Sequence, residues 1–425
     1  GTALFRPRLP MPATRTNASP PILPPLAAAG LLLVLGVLGH QINLLNNGRT
    51  LAFALWLGVA LGFVFQRARF CFFCHARDWF DRRDPRGLLA IILAIAVGLI
   101  GYTVVLGSWL PTPIAGRLPP DIHIGPVSWV LVVAGLAFGL GMVISGSCIS
   151  AHWYRLAEGS TASPFALLGT AIGFLIGFKT WNPLYASSVS DAPVVWLPAH
   201  LGYGGALVLQ LGMLGALAWL LWRHGKPPAE SSSPNPDPSA TASATTAQSA
   251  ASPRTLRSLW QHVFTGRWPY WTGGLAVGVI GFLAIVRMRP LGVTTTLGST
   301  TRGFSSEHGW IPERLDGLDG FAGCATAPGA EWLTPHAVLL AGLIGGAFVA
   351  ALLARQFKPR LPGRRDIVRG LLGGILLGWG AMTGLGCSIG TLLSGSMAGA
   401  LSGWVFGAAM FLSVGIGLRV SRRGS

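Results

Sequence analysis

The chain has 425 residues, 51% of them hydrophobic and only 11% charged, with a mean hydropathy of +0.56. Those values exclude an ordinary soluble domain and an extended disordered chain, and they imply a lipid bilayer as the solvent. The net charge of +17 does not indicate nucleic-acid binding, because the basic residues gather at the ends of apolar runs, where membrane orientation accounts for them.

Residues 1–20 are polar, contain Arg and Pro, and are expected to form a disordered extension; no cleavable signal segment is read in them. Apolar runs then follow at 22–39, 51–66, 88–110, 127–147, 164–178 and 201–222, and again at 271–286, 335–354, 367–393 and 396–418. Several are shorter than the roughly 20 residues a perpendicular helix needs and are interrupted by glycine, as in transporters with discontinuous helices. The expected fold class is an all-α polytopic membrane protein, an inverted-repeat helical transporter with broken or re-entrant helices. Its expected divisions are a membrane half at 21–225, a Pro- and Ser-rich disordered cytoplasmic linker at 226–257, and a second half at 258–425 with an outer insertion at 297–333.

Arg and Lys cluster at 67–86, at 355–369 and at the end of the chain, whereas 303–333 carries Glu307, Glu313, Asp316, Asp319 and Glu331. The excess of positive charge on cytoplasmic loops puts the basic clusters and the C-terminus inside and the acidic segment outside. Trp181, Trp196, Trp260, Trp268 and Trp271 fall near segment ends, where an interfacial belt explains them.

Two glycine-rich stretches, 139–148 and 378–387, each begin with Gly-x-Gly and end on a cysteine, Cys148 and Cys387, at the same offset. The first is entered from an outer loop and the second from an inner one, so the two segments run in opposite directions, and the thiols are expected to face one site. Ser147 and Ser388 flank them, and Gly386 frees backbone beside Cys387. Cys71-Phe-Phe-Cys74 has the spacing of a redox pair, and Cys324 lies without a neighbouring cysteine in the acidic segment. Arg155 with Glu158 has the composition of an ion pair fixing the loop after Cys148, and Thr294 and Thr296 at a helix start read as caps or as hydroxyls offered to an anion. No Cys and His spacing supports a metal site, and no cofactor is expected.

Gln66-Arg-Ala-Arg-Phe-Cys71 with Arg77-Asp78, Gly146-Ser-Cys148 with Trp153-Tyr-Arg155, and Gly386-Cys387-Ser388-Ile-Gly390 occur in the order seen in the YeeE/YedE family of bacterial inner-membrane thiosulfate transporters, which the chain resembles from about 50 to 420. Where that family reads Gly-Gly-Cys, Ser147 stands here in place of the second glycine. The resemblance implies an hourglass-shaped protein with Cys71, Cys148 and Cys387 along its pathway, thiosulfate as substrate and a cytosolic sulfur-carrier protein as possible partner. Thiosulfate has a large soft terminal sulfur, which a neutral thiol matches in polarizability while donating a weak hydrogen bond. Arg69, Ser147, Ser388 and Gly386 are the expected supporting contacts. Competing readings are a membrane thiol oxidoreductase or sulfurtransferase, prompted by Cys71 and Cys74, and a transporter of sulfite or a selenium oxyanion.

Overall fold

In hydrocarbon, long runs of Leu, Val, Ala and Gly can satisfy their backbone only as helices. The computed structural model describes residues 23–114, 116–226, 261–323, 333–359 and 361–423, and among them there are helices and isolated bridges but no strand. The expected N-terminal extension, nearly all of the expected linker, and Cys324 and Trp260 lie outside the described residues.

In chain order the helices are α1 (Leu23–Asn43), α2 (Gly48–Ala68), α3 (Phe72–Arg82), α4 (Arg86–Trp109), α5 (Trp129–Ser145), α6 (Ile149–Leu156) and α7 (Ser163–Leu184). They continue with α8 (Leu197–His224), α9 (Tyr270–Arg287), α10 (Thr295–Glu307), α11 (Pro335–Leu353), α12 (Arg364–Thr383) and α13 (Leu401–Arg423), with a π-helical segment Ser388–Ser394 between the last two. Among the described residues nine helices are long and apolar enough to cross a membrane, or ten with α12 and its continuation counted as one bent span. The protein is an all-α polytopic membrane protein.

Helix pairings in the later part of the chain repeat those of the earlier part. The partner of α2 is α11, and the partner of α9 is α4; α5 packs on α13 and α7 on α12, while α5 and α12 also pack on each other. The peripheral helices follow the same rule, α1 lying on α11 and α8 on α4.

Glycines four residues apart make these pairings close. A Cβ on Gly58 or Gly62 of α2 would meet the Leu339 or Leu343 carbonyl of α11, and one on Gly374 or Gly378 of α12 would meet Ala166 or Thr170 of α7. Their mates do the same: Gly274 of α9 abuts Ala90 of α4, and Gly135 of α5 abuts Phe406 of α13. In lipid, where no hydrophobic effect drives helices together, such close backbone approach supplies the packing energy.

Two expectations are corrected. Trp181 and Trp196 do not sit in an interfacial belt: both are buried, their indole N–H groups donating to Asp316 O at 2.8 Å and Ala398 O at 2.9 Å, so each pins a loop to the bundle. Arg67 is not a surface charge either. It is 2% exposed, with its guanidinium donating to the carbonyls of Phe264, Thr265 and Gly266 and to Gln66 and Gln356. An arginine buried this deeply needs such a set of acceptors, and here they fasten the segment before α9 to the end of α2.

Candidate functional site

Each of the three cysteines singled out in the sequence occupies a break between helices, and the breaks share one backbone form. Two residues ahead of each cysteine the chain turns left-handed, at Arg69 (φ 55°), Gly146 (φ 79°) and Leu385 (φ 57°). Cys71, Cys148 and Cys387 themselves are extended and stand immediately before the next helix. Only glycine adopts a left-handed conformation without cost, so Arg69 and Leu385 hold strained positions that their surroundings enforce.

The first helical bonds run from His75 N to Cys71 O (3.0 Å), His152 N to Cys148 O (3.0 Å) and Thr391 N to Cys387 O (2.8 Å). None of the three cysteine side chains caps its helix. The thiols and the first N–H groups of each turn are thus presented together, a combination suited to an anion with a soft end.

Cys71, Ser147 and Cys148 come together in one buried cluster. Cys71 Sγ lies 3.7 Å from Cys148 Sγ and 3.8 Å from Ser147 Oγ, and Cys148 Sγ is 3.1 Å from Ser150 Oγ. All four residues are at most 1% exposed. Arg155 extends the cluster by donating to Cys74 Sγ at 3.4 Å and to Gly146 O at 3.4 Å. The pairing expected between Arg155 and Glu158 gives way to this arrangement, and Glu158 instead meets Arg69 at 3.4 Å.

Arg69 borders an open cleft of about 510 Å³ with Glu158, Arg355, Gln356, Lys358 and Asp366. Two of its lining residues join a polar knot, in which Gln66 Nε2 donates to Gln356 Oε1 at 2.6 Å and to Glu158 Oε1 at 3.3 Å. The α3 and α13 ends meet through an ion pair of Asp81 and Arg422.

Cys387, Gly386 and Ser388 are buried in the other break. Thr391 Oγ1 donates to Gly384 O at 3.0 Å across that break, and the Ser388 hydroxyl has no partner. A narrow cavity beside it is lined by His123, Ser128, Thr383, Thr391 and Ser402. Burial lowers the pKa of His123, and the Gly390 carbonyl and then Cys387 oppose that shift only in part. Beyond it an open cleft of about 480 Å³ is bordered by Asp121, Arg289 and Asp319, with Arg289 and Asp121 paired at 3.4 Å.

The reading of the sequence quoted Gln66 in a motif without giving it a contact, assigned no role to Ser150 or Gln356, and missed the attachment of Arg155 to Cys74. Ser150 follows Cys148 by two residues and was within reach of the motif; the two glutamines lie 290 residues apart and carry no mutual signal in the chain. Among the described residues no group of three or more His, Cys, Asp or Glu is arranged to hold a metal ion.

Residues 67–416 match the family described as sulphur transport. The thiosulfate transporter TsuA of Escherichia coli (strain K12) is 26% identical over 363 residues, covering 84% of this chain and 90% of the relative. The thiosulfate transporter TsuA of Spirochaeta thermophila is 26% identical over 383 residues, covering 85% of this chain and 96% of the relative. With all three cysteine breaks inside the matched range, this chain belongs to the sulphur-transport family, a family of transporters and not of enzymes.

Proposed function

We propose that the protein carries thiosulfate across the bacterial inner membrane, passing the ion along the thiols of Cys71, Cys148 and Cys387 by transient S–H hydrogen bonds. The observation that carries this reading is the shared form of the three breaks, each placing an uncapped helix start beside a buried thiol. Thiols that donate weakly let the ion leave as readily as it enters, which conduction requires. Ser147, Ser388 and the backbone at Gly386 serve the oxygen end of the ion, and Arg69 draws it toward the basic cleft. With the basic face inside, the C-terminal end of α13 is cytoplasmic and the cleft of Arg69 is the exit, where a sulfur-carrier protein would collect the cargo.

The relatives named thiosulfate transporter support the substrate, at 26% identity over most of both chains. The test is uptake of radiolabelled thiosulfate by cells that depend on it and by liposomes holding the purified protein. Cys148→Ala and Cys387→Ala should each reduce uptake at least tenfold, and normal uptake by both variants would refute the thiol pathway. Competition by sulfite, sulfate and selenium oxyanions assigns the preferred ion.

The contacts around Cys71 and Cys74 favour one second reading, a covalent relay in which a thiol accepts the terminal sulfur as a persulfide and releases sulfite. Mass spectrometry of the turned-over protein separates the two, since a sulfur adduct required for flux would establish the relay.

A further inference from the structure

The break between α9 and α10 holds the place in the later pairings that the Cys71 break holds in the earlier ones, since α9 packs on α4 as α2 packs on α11. Cys71 stands immediately before α3, and the residue immediately before α10 is Thr294. Its side chain is 0% exposed, and its hydroxyl has no hydrogen-bond partner. The buried hydroxyls of Thr295 and Thr296 have none either.

Ordinary explanations for a buried threonine do not apply here. Thr294 makes no capping bond to the start of α10, so the cap expected from the sequence is absent. Threonines inside helices often return their hydroxyl to the carbonyl four residues earlier, as Thr103, Thr170, Thr180, Thr301 and Thr383 do in this chain. For Thr294 that carbonyl would be Pro290, which instead accepts from Nε2 of His336 at 3.2 Å. An unpaired hydroxyl in a dry interior costs free energy, and it persists where a ligand supplies the partner.

The placement fits an anion. The α10 helix has 13 residues, its first bond runs from Gly298 N to Thr294 O at 2.9 Å, and its N-terminal end is electropositive. Its break is also fastened to the helix that follows Cys387, because Ser394 Oγ donates to Leu291 O at 3.2 Å.

We propose that the break at Thr294 is a fourth break of the pathway, with Thr294 the hydroxyl counterpart of Cys71, and that it donates to the oxygen end of a tetrahedral sulfur oxyanion. Resting on the transport reading above, this assignment makes the pathway two-faced. Thiols match the polarizable sulfur at the three cysteine breaks, and at the fourth a hard hydroxyl adds to Ser147 and Ser388 in matching the oxygens.

The experiment compares Thr294→Val and Thr294→Ser in liposomes holding the full chain, with thiosulfate uptake and thermal unfolding as readouts. Valine has the shape of threonine and lacks only the hydroxyl, so Thr294→Val should unfold no earlier than the parent while its KM rises about tenfold or more, and Thr294→Ser should stay within about threefold of the parent. Unchanged KM in Thr294→Val overturns the proposal, as does a loss of uptake that tracks a lowered unfolding temperature in both variants.

Binding of sodium thiosulfate to the purified protein, read as thermal stabilisation, gives the same comparison without transport. A parent that binds thiosulfate without carrying it refutes the transport reading alone; Thr294 is then upheld if Thr294→Val loses the stabilisation and overturned if it keeps it. A parent that neither binds nor carries thiosulfate overturns both.

Discussion

The thiols of Cys71 and Cys148 lie 3.7 Å apart although 77 residues separate them in the chain. Each belongs to a different helix break, and both are fully buried, so the contact is made by the packing of α2, α3, α5 and α6 and not by any local motif.

Mild oxidation follows from that distance. A thiol-oxidising diazene such as diamide should take two hydrogens from the pair and leave a Cys71–Cys148 disulfide. Uptake should fall at least tenfold and return on reduction with dithiothreitol, with the link identified by peptide mass spectrometry in a Cys74→Ala background. Full activity after complete linkage would show that the ion does not pass between these sulfurs.

Close glycine contacts predict a sharp positional contrast. A Cβ on Gly378 would run into the Thr170 carbonyl of α7, whereas one on Gly204 in α8 meets nothing within 4 Å. Gly378→Ala should destabilise the protein by about 3 kcal/mol, and Gly204→Ala should be neutral or stabilising by up to about 1 kcal/mol. Thermal unfolding in one detergent reads both.

Arg67 should act as a fastener and not as part of the conduction path. Removing its guanidinium takes a donor from the carbonyls of Phe264, Thr265 and Gly266. Arg67→Ala should cost about 3 kcal/mol and expose the segment before α9 to protease, with Arg67→Lys recovering only part of this because an ammonium cannot reproduce the planar fork.

His123 gives stability a pH dependence. Burial holds its pKa below the ordinary 6.5, so as pH falls through that value the unfolded chain takes up a proton that the folded protein refuses. Stability contributed above pH 6.5 is therefore lost progressively below it. The unfolding temperature should drop between pH 7.5 and 5.5, and His123→Gln should flatten that drop; an unchanged slope would mean the imidazole is not buried as the fold requires.

What the sequence determined by itself follows from composition and local pattern. Apolar runs without charge must be helices in lipid, and glycine beside cysteine marks places where helices stop, so the membrane class, most spans and the breaks at Cys148 and Cys387 were legible, whereas Cys71, flanked by Phe70 and Phe72, was reached only through the family resemblance. The recurrence of the Cys148 stretch at Cys387 was visible too, because it is a property of spacing. Tertiary structure alone decided which thiols meet, that Arg155 reaches Cys74 while Glu158 takes Arg69, that Arg67, Trp181 and Trp196 are interior, and that the Thr294 hydroxyl is left over. Those outcomes depend on helices brought together by backbone contact at glycines far apart in the chain. Hydropathy records what a residue prefers to be buried in, and it holds no record of which neighbour fills the space.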